Sequence, residues 1–280
     1  MINRTNYTFN GFVLGAVASL ALAGWSLPGQ AQECTVSNWS GAVALTDDDA
    51  GTQGANNRRY GGPCGLRVPF DGTGAHLIDE SPVGESRYIA RFYGFFDAIG
   101  DDPVIVFAAQ GGGEDQVQVW YNFPASNDLT LRAFDADEDP NDLTFPAVGT
   151  GWHSVELEWN RDTGEVQFLV NSDDPDEQAA VTINLSGLSI DTALLGNVGE
   201  ADTGGSADFD DFDSRRSTRP GRLMAGDAND DGVINVQDAL AVFSESAGTA
   251  FAPGQPDCNE DGQINVQDAL CIFAISAGGQ

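Results

Sequence analysis

The chain has 280 residues, of which 43 are aspartate or glutamate and 12 are arginine, with no lysine, so its formal charge is −31. A surface this acidic argues against nucleic acids and anionic membranes as partners, because both repel carboxylates, and it favours cations. The length allows one large domain and a small one.

Residues 1–31 predict a signal peptide. Arg4 gives the start a positive charge, an apolar run follows over 11–25, and Gly29 and Ala31 are the small residues of a cleavage site. The run is shorter than the roughly 20 residues that a membrane-spanning helix needs, and an uncleaved anchor is the alternative. We therefore expect a secreted protein, extracellular or associated with a cell surface, without membrane insertion.

The four cysteines fall into two local pairs, Cys34 with Cys64 and Cys258 with Cys271. Export to an oxidising compartment predicts that each pair forms a disulfide, and buried free thiols are the alternative. No cysteine or histidine spacing typical of a zinc site occurs.

Residues 32–214 predict an antiparallel β-sandwich. In SVELEW (154–159), Val155, Leu157 and Trp159 share one face of a strand, and polar side chains share the other. Similar short segments, separated by Gly, Asp, Asn and Pro, are RYIARFYGFF (87–96), DPVIVFAAQ (102–110), QVQVWYNF (116–123), LTLRAF (129–134), EVQFLV (165–170) and AVTINL (180–185). No amphipathic helix is predicted in this region, so the chain is expected to be mainly β.

Two segments of this region carry a family resemblance. GTGWHSVELEWNRDTGEVQFLVNS (149–172) resembles the laminin-G or concanavalin-A-like jelly-roll pattern, and ADFDDFDSRR (207–216) is similar to the closing strand of such domains. The resemblance implies a jelly-roll fold linked to polysaccharide binding or breakdown.

Three functions remain open for the sandwich. It could bind carbohydrate through aromatic rings that stack on sugars, although each ring could equally pack in the core; the candidates are Trp39, Tyr60, Trp120, Tyr121 and Trp152. It could be a glycoside hydrolase with Glu156 and Glu158 as catalytic carboxylates, but Asn160 stands where the resemblance implies a third acid. It could be a non-catalytic adhesion protein. No complete catalytic motif occurs, which favours a protein that is not an enzyme.

The acidic stretches TDDDAG (46–51) and DFDDFD (208–213) could hold a further calcium ion in the sandwich or form solvated turns. An arginine-rich linker, 215–225, then separates the sandwich from a C-terminal domain over 226–280.

That domain contains the same acidic twelve-residue pattern twice, as DANDDGVINVQD (227–238) and DCNEDGQINVQD (257–268). Calcium takes roughly six to eight oxygen ligands, and alternate residues of a tight loop can supply them. A glycine at position 6 permits the sharp reversal of the chain, and position 7 offers its backbone carbonyl. The predicted ligands of two calcium ions are Asp227, Asn229, Asp231, Val233, Asn235 and Asp238, and Asp257, Asn259, Asp261, Gln263, Asn265 and Asp268.

One helix is expected after each loop, over 236–247 and 266–277, with Ala239, Leu240 and Phe243 and their counterparts on the packed side. Ile234 and Ile264 are expected to pair as a two-strand link. Prolines before Asp257 exclude an incoming helix. Two loops each followed by one helix, with Asp in place of the usual EF-hand Glu at position 12, resemble the type I dockerin module.

The dockerin resemblance implies a cohesin-bearing partner. The positions that it assigns to partner recognition are Val236, Gln237, Phe243 and Ser244, and Val266, Gln267, Phe273 and Ala274. Dockerins of cellulose-degrading assemblies more often carry Ser or Thr and basic residues there, which argues against a cellulosomal partner. The near-identity of the two halves allows a partner to bind in either of two orientations.

Overall fold

The computed structural model describes residues 34–54 and 57–278, so the predicted signal peptide lies outside the described residues. Fourteen strands and two α-helices form within them. The strands are β1 Gly41–Val43, β2 Ala50–Gly51, β3 Gly65–Asp71, β4 His76–Asp79, β5 Arg87–Phe95, β6 Val104–Gly111, β7 Glu114–Tyr121, β8 Leu129–Phe134, β9 Pro140–Phe145, β10 Trp152–Asn160, β11 Glu165–Val170, β12 Ala179–Thr182, β13 Thr192–Gly196 and β14 Asp202–Arg215. The helices are α1 Val236–Ser246 and α2 Val266–Ser276.

The strands form two seven-stranded sheets whose paired strands are all antiparallel. Sheet 1 has the order β1-β4-β13-β6-β7-β8-β9, and sheet 2 has the order β12-β11-β10-β5-β14-β3-β2. The expected antiparallel β-sandwich and the mainly β fold class are therefore confirmed.

Apolar side chains at every second position of the strands fill the space between the sheets. Val155, Leu157 and Trp159 of β10 are fully buried in the main core, as are Val166 and Phe168 of β11. Each inward position of β10 lies opposite a residue of β11, for example Leu157 opposite Phe168, so the apolar side chains of neighbouring strands meet on one face.

Both predicted cysteine pairs form disulfides. Cys34 and Cys64 have their Cα atoms 5.6 Å apart, and the Cα atoms of Cys258 and Cys271 are 6.0 Å apart. The first bond ties the start of the described chain to the residue before β3, and the second ties one acidic loop to the helix that follows it. Among the described residues, no helix is long and apolar enough to cross a membrane.

The C-terminal segment 226–278, called the tail below, has its own small core. Each helix starts with a capping box, in which Asn235 and Asp238, or Asn265 and Asp268, exchange hydrogen bonds with the backbone of the first turn. The residues buried in this core are Ala228, Ala239, Val242, Ala252, Cys258, Ala269 and Ile272.

Two details of the expected tail packing are wrong. Leu240 and Leu270 were expected on the packed side, but their exposed fractions are 57% and 59%. Val242 and Ile272 fill the core instead, because they lie one turn beyond Ala239 and Ala269 on the face towards the other helix. No β-bridge joins Ile234 to Ile264 in the described part of the chain; both side chains pack against the small core separately.

Candidate functional site

The first acidic loop, 227–238, wraps its backbone around two carboxylates. Asp227 accepts hydrogen bonds from the backbone N–H groups of Asp231 (3.1 Å) and Gly232 (2.8 Å). Asp238, in the first turn of α1, accepts from Asn229 (3.1 Å) and Asn235 (2.8 Å). The loop is thus held at both ends by the acids at its positions 1 and 12.

The second loop, 257–268, repeats this arrangement bond for bond. Asp257 accepts from the backbone N–H groups of Asp261 (3.1 Å) and Gly262 (2.7 Å), and Asp268 accepts from Asn259 (3.4 Å) and Asn265 (2.8 Å). The repeated sequence therefore specifies a repeated structure, down to the left-handed backbone at the glycine of each loop, where φ is 81° in the first and 80° in the second.

Four loop carboxylates, those of Asp227, Asp238, Asp257 and Asp268, are at most 4% exposed. Among the described residues, no arginine forms an ion pair with any of them. Desolvation by burial, together with the negative charge of Asp268, raises the pKa of Asp257 to about 8. Desolvation also raises the pKa of Asp268. A buried carboxylate pair without a countercharge is unfavourable unless a proton or a cation neutralises it.

The donor set of each loop fits a hard cation: carboxylates, amide oxygens and one backbone carbonyl. Within residues 34–54 and 57–278, however, no three acidic, histidine or cysteine side chains converge as a group that could hold a metal ion. Some predicted ligands bond to one another instead. Asn229 accepts from the backbone N–H of Asp231 (2.9 Å), and the side-chain amide of Asn235 donates to the carbonyl of Val233 (3.1 Å). Ligation would therefore require Asn235 to release that carbonyl.

The predicted partner-binding positions lie on a common, largely exposed face of the two helices. Val236 and Val266 are both 51% exposed, and Phe243 of α1 contacts Phe273 of α2 with ring centroids 6.3 Å apart. The remaining predicted positions on this side are Gln237, Ser244, Gln267 and Ala274. Sequence reasoning missed Leu240 and Leu270, which are the most exposed leucines of the tail. Their spacing of four residues from the two valines was the available signal.

The weak catalytic candidates Glu156 and Glu158 lie on the outer face of sheet 2, where the linker covers them. Glu156 accepts a hydrogen bond from the backbone N–H of Gly221 (2.8 Å), and Glu158 accepts from Arg87 (2.7 Å). Arg219 of the linker lies within 3.6 Å of both carboxylates. Desolvation raises the pKa of Glu156. A substrate would have to displace the linker before it could reach either acid.

Most of the aromatic candidates for sugar stacking are covered. Tyr60, Tyr121 and Trp152 are at most 3% exposed, and Trp39 packs against the main core. Trp120 is half-buried on the outer face of sheet 1, with the Phe123 ring centroid 5.4 Å and the Arg132 guanidinium 5.6 Å from its ring. Trp39 and Trp120 are the two half-buried members of this set, and Trp120 is the one that lies on an outer sheet face.

Several carboxylates of the two acidic stretches considered for a further calcium ion bond to the chain itself. Asp47 accepts hydrogen bonds from the hydroxyl of Thr35 and the backbone of Val36. Asp208 forms an ion pair with Arg58, at 2.9 Å, and Asp210 accepts from the backbone of Tyr60. These oxygens satisfy protein donors, but Asp211 Oδ2 and Asp213 Oδ1 are buried without a hydrogen-bond partner among the described residues, so a further calcium ion in 208–213 stays a prediction.

Comparisons with known proteins give a likeness of fold at low similarity. No protein-family model matches the chain, and no curated protein matches it. Among solved structures, alginate lyase A1-II′, described as a member of polysaccharide lyase family 7, is similar with a TM-score of 0.43 and 15% identity, covering 55% of this chain and 80% of that one. The binding domain of botulinum neurotoxin serotype D has a TM-score of 0.41 and 13% identity, covering 54% of this chain. The chain spans 39% of the length of that toxin structure.

Proposed function

We propose that residues 226–280 form a calcium-binding module of dockerin type, which attaches the chain to a cohesin-bearing partner and so presents the sandwich at that partner. The observation that carries this proposal is the repeated loop and helix. Each copy wraps the same backbone N–H groups around two buried carboxylates that have no arginine partner. In this proposal the domains are the sandwich, 32–214, of laminin-G or concanavalin-A-like jelly-roll type, the linker, 215–225, and the module.

Calcium suits these loops on chemical grounds. When bound, the ion supplies positive charge and cross-links the ends of each loop, and the chain's own oxygens hold it at positions 1, 3, 5, 7, 9 and 12. The acids at positions 1 and 12 are already oriented by backbone N–H groups, and the side chains of each loop have to move together before its donors converge on one ion. Because the ion binds the folded loop, calcium is expected to stabilise the tail.

The partner surface rests on the exposed helix face. Aliphatic side chains of both helices remain uncovered there, and both halves of the repeat present equivalent residues: Val236, Leu240, Val266 and Leu270. Exposed apolar patches of this kind mark interaction sites. A cohesin is the partner that the dockerin resemblance implies.

Isothermal titration calorimetry of calcium into the full chain tests the ion. We expect two bound ions, and loss of both in the double variant Asp227→Ala/Asp257→Ala. The control Asp137→Ala/Asp139→Ala removes the same charge from an exposed turn and should keep both ions. If calcium injected into the unsubstituted chain releases or absorbs no heat of binding, and excess chelator leaves the helical circular dichroism unchanged, the module does not bind calcium and the proposal is wrong.

A carbohydrate-related role for the sandwich is a second proposal, supported by Trp120. Its half-buried ring lies on an outer sheet face, an arrangement suited to stacking on a sugar ring, while the neighbouring Arg132 is paired with Asp142. Glycan-array binding that disappears in Trp120→Ala would support it, and unchanged binding would exclude this surface. A glycoside hydrolase remains the alternative; sugar release that survives both Glu156→Gln and Glu158→Gln would exclude those two acids as its catalytic pair. The absence of both binding and release would argue against the first two proposals and favour the third candidate, a non-catalytic adhesion protein.

A further inference from the structure

The second loop lies directly against the sandwich. The backbone N–H of Trp152 donates to the backbone carbonyl of Glu260 (2.8 Å), and the Tyr60 hydroxyl donates to the Glu260 carboxylate (2.7 Å). The side-chain amide of Gln53 donates to the carbonyl of Gly262 (3.1 Å). Three residues of the sandwich thus hold two nearby positions of this loop, Glu260 and Gly262, and we call this contact the seat.

An aromatic cluster forms the floor of the seat. Tyr60 and Tyr93 stack with ring centroids 3.7 Å apart, and the rings of Tyr60 and Phe95 lie 5.8 and 5.6 Å from that of Trp152. All four side chains are at most 4% exposed, although they lie on the outer face of sheet 2 and outside the main core. They are buried because the tail and the linker cover them.

A second contact fixes the tail from the side of the first helix. The Arg59 guanidinium donates to the Glu245 carboxylate (2.6 and 2.7 Å) and to the carbonyl of Ala252 (3.2 Å), and it lies 4.4 Å from the ring centroid of Phe251. The side chain of Arg59 is fully buried. The tail is therefore held at two separate points, and only one of them involves a loop.

The seat makes the two loops unequal despite their sequence. Gly232 and Gly262 share the same backbone conformation, but Gly232 is exposed and Gly262 is buried. A Cβ atom built on Gly232 meets nothing within 4 Å, whereas one built on Gly262 would lie 2.4 Å from the Phe95 ring and 2.9 Å from Arg58 Cδ. The second loop is thus the only one of the two whose glycine packs against the sandwich.

We propose that the seat couples calcium binding by the second loop to docking of the tail on the sandwich. The first loop shares no hydrogen bond with the sandwich among the described residues and approaches it through the like charges of Asp230 and Asp211, so its calcium binding is not coupled through the seat. This inference rests on the proposed calcium module. Glu260 and Gly262 alternate along the chain with the predicted ligands Asn259, Asp261 and Gln263. The seat therefore restricts the same short stretch of backbone that calcium has to order.

The coupling follows from a shared conformational cost. Ordering a loop costs conformational entropy, and the hydrogen bonds of the seat already order part of the second loop before the ion binds. By linkage, the factor by which the seat strengthens calcium binding equals the factor by which calcium strengthens docking. Docking in turn helps the linker to keep Tyr60, Tyr93, Phe95 and Trp152 covered, so calcium strengthens that cover.

A pair of glycines outside the loops gives the test. Gly151 has φ +100° and a Cβ built on it would lie 2.4 Å from the Glu260 carbonyl oxygen, whereas Gly149 has φ +91° and meets nothing within 4 Å. Gly151→Ala therefore disturbs the seat, and Gly149→Ala is the control for backbone strain alone. Both substitutions are made in the full chain, and calcium binding is measured by calorimetry together with the melting temperature in calcium and in chelator.

We expect Gly149→Ala to bind two ions as the unsubstituted chain does. Gly151→Ala should weaken one of the two sites by at least about fivefold, the low end of typical couplings between sites, and leave the other unchanged. Calcium should also raise the melting temperature of Gly151→Ala by less. Equal affinities at both sites in the two variants would overturn the coupling while leaving the calcium module intact. An unsubstituted chain that binds no calcium would overturn both.

Tyr60→Phe keeps the test decisive if Gly151→Ala does not fold. It removes the hydroxyl that donates to Glu260 and keeps the stacked ring, and Tyr121→Phe, which removes a hydroxyl that donates to Asn127 within the sandwich, is its control. The coupling predicts weaker binding at one site in Tyr60→Phe alone. Identical binding curves for these two variants would refute it.

Discussion

Removal of the Glu245 carboxylate should destabilise the chain more than removal of a carboxylate from a surface ion pair. Glu245 is the anionic partner of Arg59, whose side chain is fully buried, while the Glu245 side chain is 15% exposed. The carboxylate also accepts a hydrogen bond from the backbone of Ala252 (2.9 Å). Glu245→Ala leaves a buried guanidinium without its countercharge, and breaking a buried pair in this way costs about 3–5 kcal/mol.

That loss converts into a measurable melting shift. For a chain of this size, 1 kcal/mol corresponds to about 2–4 °C, so Glu245→Ala should lower the melting temperature by about 6–20 °C. Differential scanning calorimetry of the full chain measures it. Glu245→Gln keeps an acceptor oxygen at the same place and should lower the melting temperature by less, because a neutral acceptor still satisfies one donor of Arg59.

The control is the exposed ion pair between Arg132 and Asp142 on sheet 1. These side chains are 22% and 35% exposed, and surface pairs contribute about 0–1 kcal/mol. Asp142→Ala should therefore shift the melting temperature by less than about 4 °C. If Glu245→Ala and Asp142→Ala shift it equally, burial does not decide the value of the Arg59 pair and the reasoning fails.

Three further outcomes are expected. Desolvation raises the pKa of Asp211 from 3.8 to about 6, so the folded state binds a proton more tightly than the unfolded state and stability falls as pH rises through this interval. Asp211→Asn should reduce that fall in the free energy of unfolding, measured by urea denaturation between pH 4 and 7. An unchanged dependence of the unfolding free energy on pH would contradict this. The double variant Leu240→Asp/Leu270→Asp, which changes the exposed face of both repeats, should change stability by less than about 0.5 kcal/mol per site. It should abolish capture by a cohesin-type partner in a pull-down, whereas Val242→Asp, in the small core, should unfold the tail by circular dichroism. Undiminished capture by the double variant would exclude this helix face. Replacing Cys258 and Cys271 together by alanine should lower the free energy of unfolding, measured by chemical denaturation, by about 3 kcal/mol, as expected for a loop of this length. A loss near zero would show that the disulfide does not constrain the unfolded tail.

Local patterns in the sequence predicted the local structure well. The alternation in 154–159 and 165–170 gave the inward faces of β10 and β11, because period two leaves one face for the core wherever a strand is half-buried. The loop pattern predicted both helices to within one residue of their ends, because Asn at the cap and Asp three residues later define a helix start by themselves.

Most of the strands that sequence reasoning did not identify lack such a pattern; β3 is the exception, because Leu66, Val68 and Phe70 alternate into the core and could have been recognised. Three of them, β1, β4 and β13, have three to five residues each, and β9 starts with a proline and carries an exposed acid. Short strands of this kind form because longer neighbours pair with them, for example β13 between β4 and β6. Their hydrogen bonds are decided by tertiary contacts that no single segment encodes.

The seat and the covering linker also could not be read from local sequence. Glu156 and Glu158 stand at alternate positions that face water in an ordinary outer strand, yet they are buried beneath Arg219 and Gly221. Only contacts between segments more than 60 residues apart produce that burial. The composition gave an indirect signal, since four of the twelve arginines lie within 215–225, opposite an acidic sheet face.

The linker described above lies fixed along sheet 2: Arg87 donates to the carbonyl of Ser217, Arg91 to that of Gly221, and the backbone of Leu223 to the Tyr93 hydroxyl. A free coil of the same eleven residues would let its two ends sample separations of about 18 Å in every direction. Because the linker is anchored, the sandwich instead has a fixed orientation relative to a partner that binds the helices. Since the two repeats expose equivalent faces, a partner that accepts either one would display the sandwich in two discrete orientations, where a free linker would allow a continuous range.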